Sequence, residues 1–78
     1  VLTGAQMRAA RALIKMRQVD LAKAADLSEE TIKRLEKDSG PVQSTANNAA
    51  AIQKALEAAG VVFLPENGNG PGVALRKS

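Results

Sequence analysis

The chain contains no cysteine, no histidine, no tryptophan and no tyrosine, and Phe63 is its sole aromatic residue. The absence of cysteine excludes disulfides and cysteine-ligated metal. Without histidine, zinc binding loses its commonest ligand and catalysis loses its usual acid–base group near neutral pH. With no aromatic platform, stacking of single-stranded bases has little to work with. No apolar run exceeds Val61 to Leu64, far short of a bilayer span. The first residues, VLTGAQMRAAR, carry no signal-peptide pattern, so a cytosolic chain that avoids membranes is expected. No metal or other cofactor is expected, and no nucleophile–base arrangement surrounds the serines. An enzyme is the least favoured class.

The chain has 78 residues, which suit one domain with a small core. Its net charge is +3, a mild excess of base that permits nucleic-acid binding without demanding it. The distribution is more telling. Arg8, Arg11, Lys15 and Arg17 fall in an N-terminal stretch that lacks acids, and Arg76 and Lys77 lie at the other end.

Thr3 and Gln6 have the spacing of a capping box, and Leu2 and Met7 that of a hydrophobic staple, so a first helix is expected from Thr3 to about Lys15. Met7, Ala10 and Ile14, with Leu13 beside them, form its apolar stripe. A second helix is expected over Gln18 to Ala25. Arg17 is a poor cap for it, having no side-chain acceptor. Asp26-Leu27-Ser28 is a tight turn, and Ser28 caps a third helix that reaches Lys37. Ser39-Gly40-Pro41 stops that helix. Ser44 is placed to cap a fourth helix running to Ala59, with Gly60 beyond its end and Ala49, Ile52, Ala55, Leu56 and Ala59 as its buried face. Val61 to Leu64 and Val73 to Arg76 are strand-like runs around the turn formers Pro65 to Gly72, which together read as a hairpin. A lone hairpin is marginal in water, so this one must pack on the helices or on a second subunit.

The segment Gln18 to Lys37, QVDLAKAADLSEETIKRLEK, carries most of the functional signal. Leu21, Ala22 and Ala25 share one face of the second helix; Ile32 and Leu35 form the inward face of the third. A small residue, Ala22, stands where the two helices would cross. Such an arrangement fixes a helix so that its outer face can enter a major groove. That outer face offers Glu29, Glu30, Thr31, Lys33, Arg34 and Lys37. Lys33 is the candidate for guanine O6 and N7, with Arg34 and Lys37 for phosphate. Glu29 and Glu30 either stabilise the positive end of the helix or accept from cytosine N4. Ser28, at a helix start, can both cap and face phosphate. Arg8, Arg11, Lys15 and Arg17 are a solvated face or a phosphate-contacting flank. The glycines among Asn67 to Gly72 lack the lysine and helix start of a nucleotide loop.

In these features the sequence resembles the XRE/Cro-type family, the lambda-repressor-like DNA-binding domains. The resemblance spans Leu2 to about Ala59. It is most specific at Gln18, at Leu21-Ala22 and at Ile32-Lys33-Arg34-Leu35-Glu36. The tail GVVFLPENGNGPGVALRK is similar to an extension found in small bacterial members. The chain departs from the family pattern at Asp26, where glycine is common, at Arg17, where serine or threonine often caps, and at Met16, where an aromatic is common. The resemblance implies a mainly all-α bundle of four to five helices with a helix-turn-helix. It would comprise a DNA-binding unit over residues 1–60 and a β-hairpin extension over 61–78. It places Gln18 against the DNA backbone. It implies a transcriptional regulator, read first as a repressor, with double-stranded DNA as partner and a homodimer as the working form. The alternative within the same fold is a protein-interaction module, antitoxin-like or adaptor, with a protein partner.

Overall fold

A computed structural model describes residues 2–65, 68 and 70–76. Glu66, Asn67 and Asn69 of the expected turn, and Lys77 of the basic end, lie outside the described residues. Four helices precede a two-stranded antiparallel hairpin: α1 (Gly4–Ile14), α2 (Gln18–Ala25), α3 (Glu29–Glu36), α4 (Ala46–Ala58), β1 (Val61–Leu64) and β2 (Gly72–Leu75). No helix among the described residues is long and apolar enough to cross a membrane.

The start of α1 follows its sequence signals. Thr3 Oγ1 accepts from the Gln6 backbone N–H at 3.0 Å, and Gln6 Oε1 accepts from the Thr3 N–H at 2.9 Å. These bonds satisfy two helix-end donors that would otherwise be buried without partners. Leu2 and Met7, the staple pair, are both buried. Leu13 remains 40% exposed, outside the stripe of Met7, Ala10 and the half-buried Ile14.

Helices α1 and α2 end alike. Lys15 (φ 54°) and Asp26 (φ 59°) both adopt the left-handed conformation. Met16 N–H then donates to Arg11 O at 2.9 Å and Leu27 N–H to Ala22 O at 2.8 Å, the longer bond of a Schellman ending. A glycine would adopt this conformation without steric cost. Asp26→Gly is therefore expected to stabilise the protein, by up to ~1 kcal/mol. Relief of ~1–2 kcal/mol of left-handed strain is partly offset by the greater freedom of glycine in the unfolded chain. Urea unfolding of the two proteins measures the balance, and a less stable glycine variant would contradict the strain argument.

Ser28 caps α3 as expected, accepting from Thr31 N–H at 3.1 Å. Two expectations for α4 need correction. Its cap is Thr45, which accepts from Asn48 N–H at 3.1 Å, and not Ser44. Either side chain can cap, and the helix starts one residue later than expected. Ala59 is exposed instead of buried, because the chain leaves the helix there and turns through Gly60 (φ +106°).

Leu2, Met7, Ala10, Leu21, Ala22, Ala25, Ile32, Leu35, Ile52, Leu56 and Val61 form one core. Val61 brings the hairpin into it, and Phe63 and Val73 pack against its margin. The hairpin thus rests on α1 and α4 and shares their core. Its register pairs Val61 with Leu75 and Phe63 with Val73, and Gln6 Nε2 ties it to α1 by donating to Gly72 O at 3.2 Å.

Candidate nucleic-acid interface

Helix α3 divides its residues sharply. Ile32, Leu35 and Glu36 are buried, whereas Glu29, Glu30, Lys33, Arg34 and Lys37 are all exposed and Thr31 is half-buried. The three-residue connection Asp26-Leu27-Ser28 leaves no slack between α2 and α3. Ala22, only 3% exposed, lets the two helices pack closely.

The burial of Glu36 is the principal feature that sequence reasoning missed. Its carboxylate accepts two parallel bonds from Arg11, Nε to Oε2 and Nη2 to Oε1, each 2.7 Å. Gln18 Nε2 donates to the same Oε1 at 3.1 Å. One carboxylate on α3 is therefore held by α1 and by the first residue of α2. Such a bidentate pair fixes orientation as well as position. Arg11 also donates to Met16 O at 3.1 Å. Its bonds to Glu36 hold the guanidinium above its ordinary range, against the opposing effect of burial. Arg8 reinforces the joint by donating to Glu36 O and, at 2.7 Å, to Ser39 Oγ. A signal for this was present: Glu36 falls four residues after Ile32, on the inward face, opposite an N-terminal stretch rich in arginine.

The expected phosphate flank is accordingly dispersed. Arg8 and Arg11 are engaged in holding α3. Arg17 is exposed and forks onto Asp20, with Nε–Oδ2 at 3.0 Å and Nη2–Oδ1 at 3.1 Å. Lys15 is exposed at the left-handed end of α1. Arg17 provides no side-chain cap for α2; Asp20 makes the reciprocal bond instead, its carboxylate accepting from the Arg17 N–H at 3.2 Å. Hydrogen bonds from the Arg17 side chain and backbone hold the Asp20 carboxyl below its ordinary range.

On the exposed face of α3, Lys33 Nζ lies 3.6 Å from Glu29 Oε2, with both side chains in solvent. A pair of this kind contributes only ~0.2–0.5 kcal/mol and is readily exchanged for another partner. Arg34 donates to Gln43 O at 3.3 Å. Thr31 Oγ1 lies 2.8 Å from Ser28 Oγ, so both hydroxyls belong to the helix start. The structure thus gathers Glu29, Glu30, Thr31, Lys33 and Arg34 on α3, with Ser28 and Lys37 as its two caps and Gln18 bound across to its last turn. No family model matches the sequence, and no curated protein matches it.

Proposed function

We propose that the chain is a sequence-specific double-stranded DNA-binding domain of lambda-repressor-like architecture, acting in transcriptional regulation with α3 in the major groove. The observation that carries this reading is the split character of α3. Five charged side chains stand clear of the core, while Ile32, Leu35 and the Arg11–Glu36–Gln18 joint hold the helix rigidly from behind. A reading helix needs that combination, because base edges are distinguished only by donors and acceptors held in register. A helix whose charge served solubility alone would gain nothing from a three-helix clamp on its last turn. Gln18 and Ser28 stand at the starts of α2 and α3, where backbone N–H groups favour phosphate.

Lys33 and Arg34 play different parts. Lys33 exchanges Glu29 for a guanine edge, and Arg34 exchanges the Gln43 carbonyl for phosphate. Lys33→Ala is expected to lower discrimination between the best and a scrambled duplex by roughly 1–3 kcal/mol. Arg34→Ala is expected to weaken binding to both duplexes alike and to reduce the salt slope by about one unit. Affinity titrations at several salt concentrations separate the two. Equal losses on both duplexes for Lys33→Ala would contradict its assignment.

A further inference from the structure

All three prolines of the chain, Pro41, Pro65 and Pro71, and its sole aromatic residue, Phe63, line one cavity of about 710 Å³. Its walls come from four separate parts of the chain: the start of α1, the connection after α3, the middle of α4 and the hairpin. None of the described residues that line it is charged, although 24% of the chain is. The volume falls within the ~300–1,000 Å³ of small-molecule sites. We propose that this cavity binds an uncharged, mainly apolar small molecule that carries one hydrogen-bond donor for Gln53.

The walls are held in place before any ligand enters. Gly4 N–H donates to Gly40 O and Val42 N–H to Leu2 O, each at 3.0 Å, which fixes the connection after α3 against the start of α1. Gln6 Nε2, through Gly72 O, fixes the hairpin against the same helix. The proline rings have a locked φ. A ligand that enters such a site orders little of the protein, so little of its binding energy is lost. The bonding of the wall then selects the ligand. The side chains of Thr3, Gln6 and Ser39 are engaged by partners inside the fold. Gln53, half-buried on α4, differs. Its Nε2 makes only a 3.4 Å contact with Glu57 Oε2, and its Oε1 has no partner among the described residues. That oxygen is the acceptor the wall offers. A carboxylate, phosphate or ammonium group would give up water here and meet no opposite charge among those residues. A peptide strand or a second copy would bring a backbone donor and acceptor at every residue, and most would go unpaired. A neutral ring system with a single N–H or O–H meets neither cost.

The site does not depend on the DNA-binding reading, and its test uses no DNA. Four probes share one ring: indole, 1-methylindole without the N–H, indole-3-acetate with a negative charge and tryptamine with a positive one. Each is titrated into the isotope-labelled intact chain at physiological salt and followed by NMR. Indole should shift the amides of Ala5, Gly40, Gln53 and Phe63 and saturate with a Kd on the order of 1 mM. At about ten times that Kd it should raise Tm by roughly 5–10 °C. 1-Methylindole should bind roughly two- to ten-fold more weakly, for want of the bond to Gln53. Both charged probes should bind at least about ten-fold more weakly than indole. Two variants of unchanged net charge, checked for fold by circular dichroism, locate the binding. Ala5→Leu adds bulk to the wall from an exposed position and should abolish the saturable shifts. Gln53→Leu removes the acceptor and should bind indole and 1-methylindole alike. Absence of saturable shifts, or shifts centred on another part of the fold, overturns the site. Indole binding that Ala5→Leu leaves unchanged does the same. Charged probes that bind as tightly as indole overturn the assigned ligand chemistry. A preference for indole over 1-methylindole that survives in Gln53→Leu overturns the role of Gln53.

Discussion

Glu36→Ala is expected to destabilise the protein by about 3 kcal/mol, the lower end of the cost of removing one partner from a buried ion pair. Glu36 is 4% exposed, and the Arg11 side chain that it neutralises is 20% exposed. The substitution leaves that guanidinium with only the Met16 carbonyl, and leaves the Gln18 amide without its acceptor. In a domain of this length, about 3 kcal/mol lowers Tm on the order of 15 °C. The lower end of the range is appropriate because water still reaches part of Arg11. Replacing both partners together, Arg11→Met/Glu36→Leu, removes the stranded charge. It should recover most of the loss, since apolar substitutes for a buried pair are often neutral. Thermal unfolding of the single and double variants checks both statements. A Glu36→Ala protein that melts within a few degrees of the parent would mean that the joint contributes little.

Gly4→Ala is expected to cost about 3 kcal/mol or more, although helix propensity alone favours alanine over glycine by about 1 kcal/mol. Packing reverses the sign. A Cβ on Gly4 would lie 1.8 Å from Asp38 O and 2.7 Å from Leu35 O. Both atoms are backbone, so no side-chain rotation relieves the clash. The start of α1 and the segment after α3 would have to separate. That separation would break the bond from Gly4 N–H to Gly40 O, now 3.0 Å, and disturb the Thr3–Pro41 bridge beside it. Overpacking of this kind typically costs 1–3 kcal/mol, and more where backbone must move. Urea unfolding decides the sign directly: a Gly4→Ala variant as stable as the parent, or more so, would contradict the close approach.

These two positions also mark the limit of what the sequence reveals. Periodicity and caps located the helices, because Thr3–Gln6, Ser28 and the left-handed Asp26 act within a few residues of themselves. The hairpin was legible for the same reason, from two β-branched runs around a glycine-rich turn. Gly4 acts through Asp38 and Leu35, and Glu36 through Arg11 and Gln18; these partners are distant along the chain and meet only once α1 crosses α3. Asp20 accepts from the Arg17 N–H, a local bond that its three-residue spacing from Arg17 could have indicated. Thr45 and Ser44 are adjacent and similar cap residues, so the sequence did not decide between them. Within the candidate site, the exposed residues of α3 followed from helical spacing. The arginines of α1 looked like a surface flank because their acceptors, the Glu36 carboxylate and carbonyl and Ser39, were hidden on another helix.

The engagement of Arg8 and Arg11 with the end of α3 also redistributes the basic surface. Two of the four arginines and lysines before α2 serve to hold α3, and Arg17 carries its own counter-ion in Asp20. Under the proposed DNA-binding reading, phosphate contacts then fall chiefly to Arg34, Lys37 and the starts of α2 and α3. On this account the salt dependence of binding is modest for a single copy, reflecting a few phosphates. On the same account, specificity comes from the α3 side chains.

The most direct test of the central claim is selection of bound sequences from a random pool of duplex DNA with the purified chain, followed by titration of the enriched site. The account predicts a short enriched motif, bound at least 10³-fold more tightly than non-specific duplex at physiological salt. It also predicts that Lys33→Ala weakens preference at one defined position of that motif. A pool that remains random after repeated selection, or an affinity that falls with salt and ignores sequence, would contradict it.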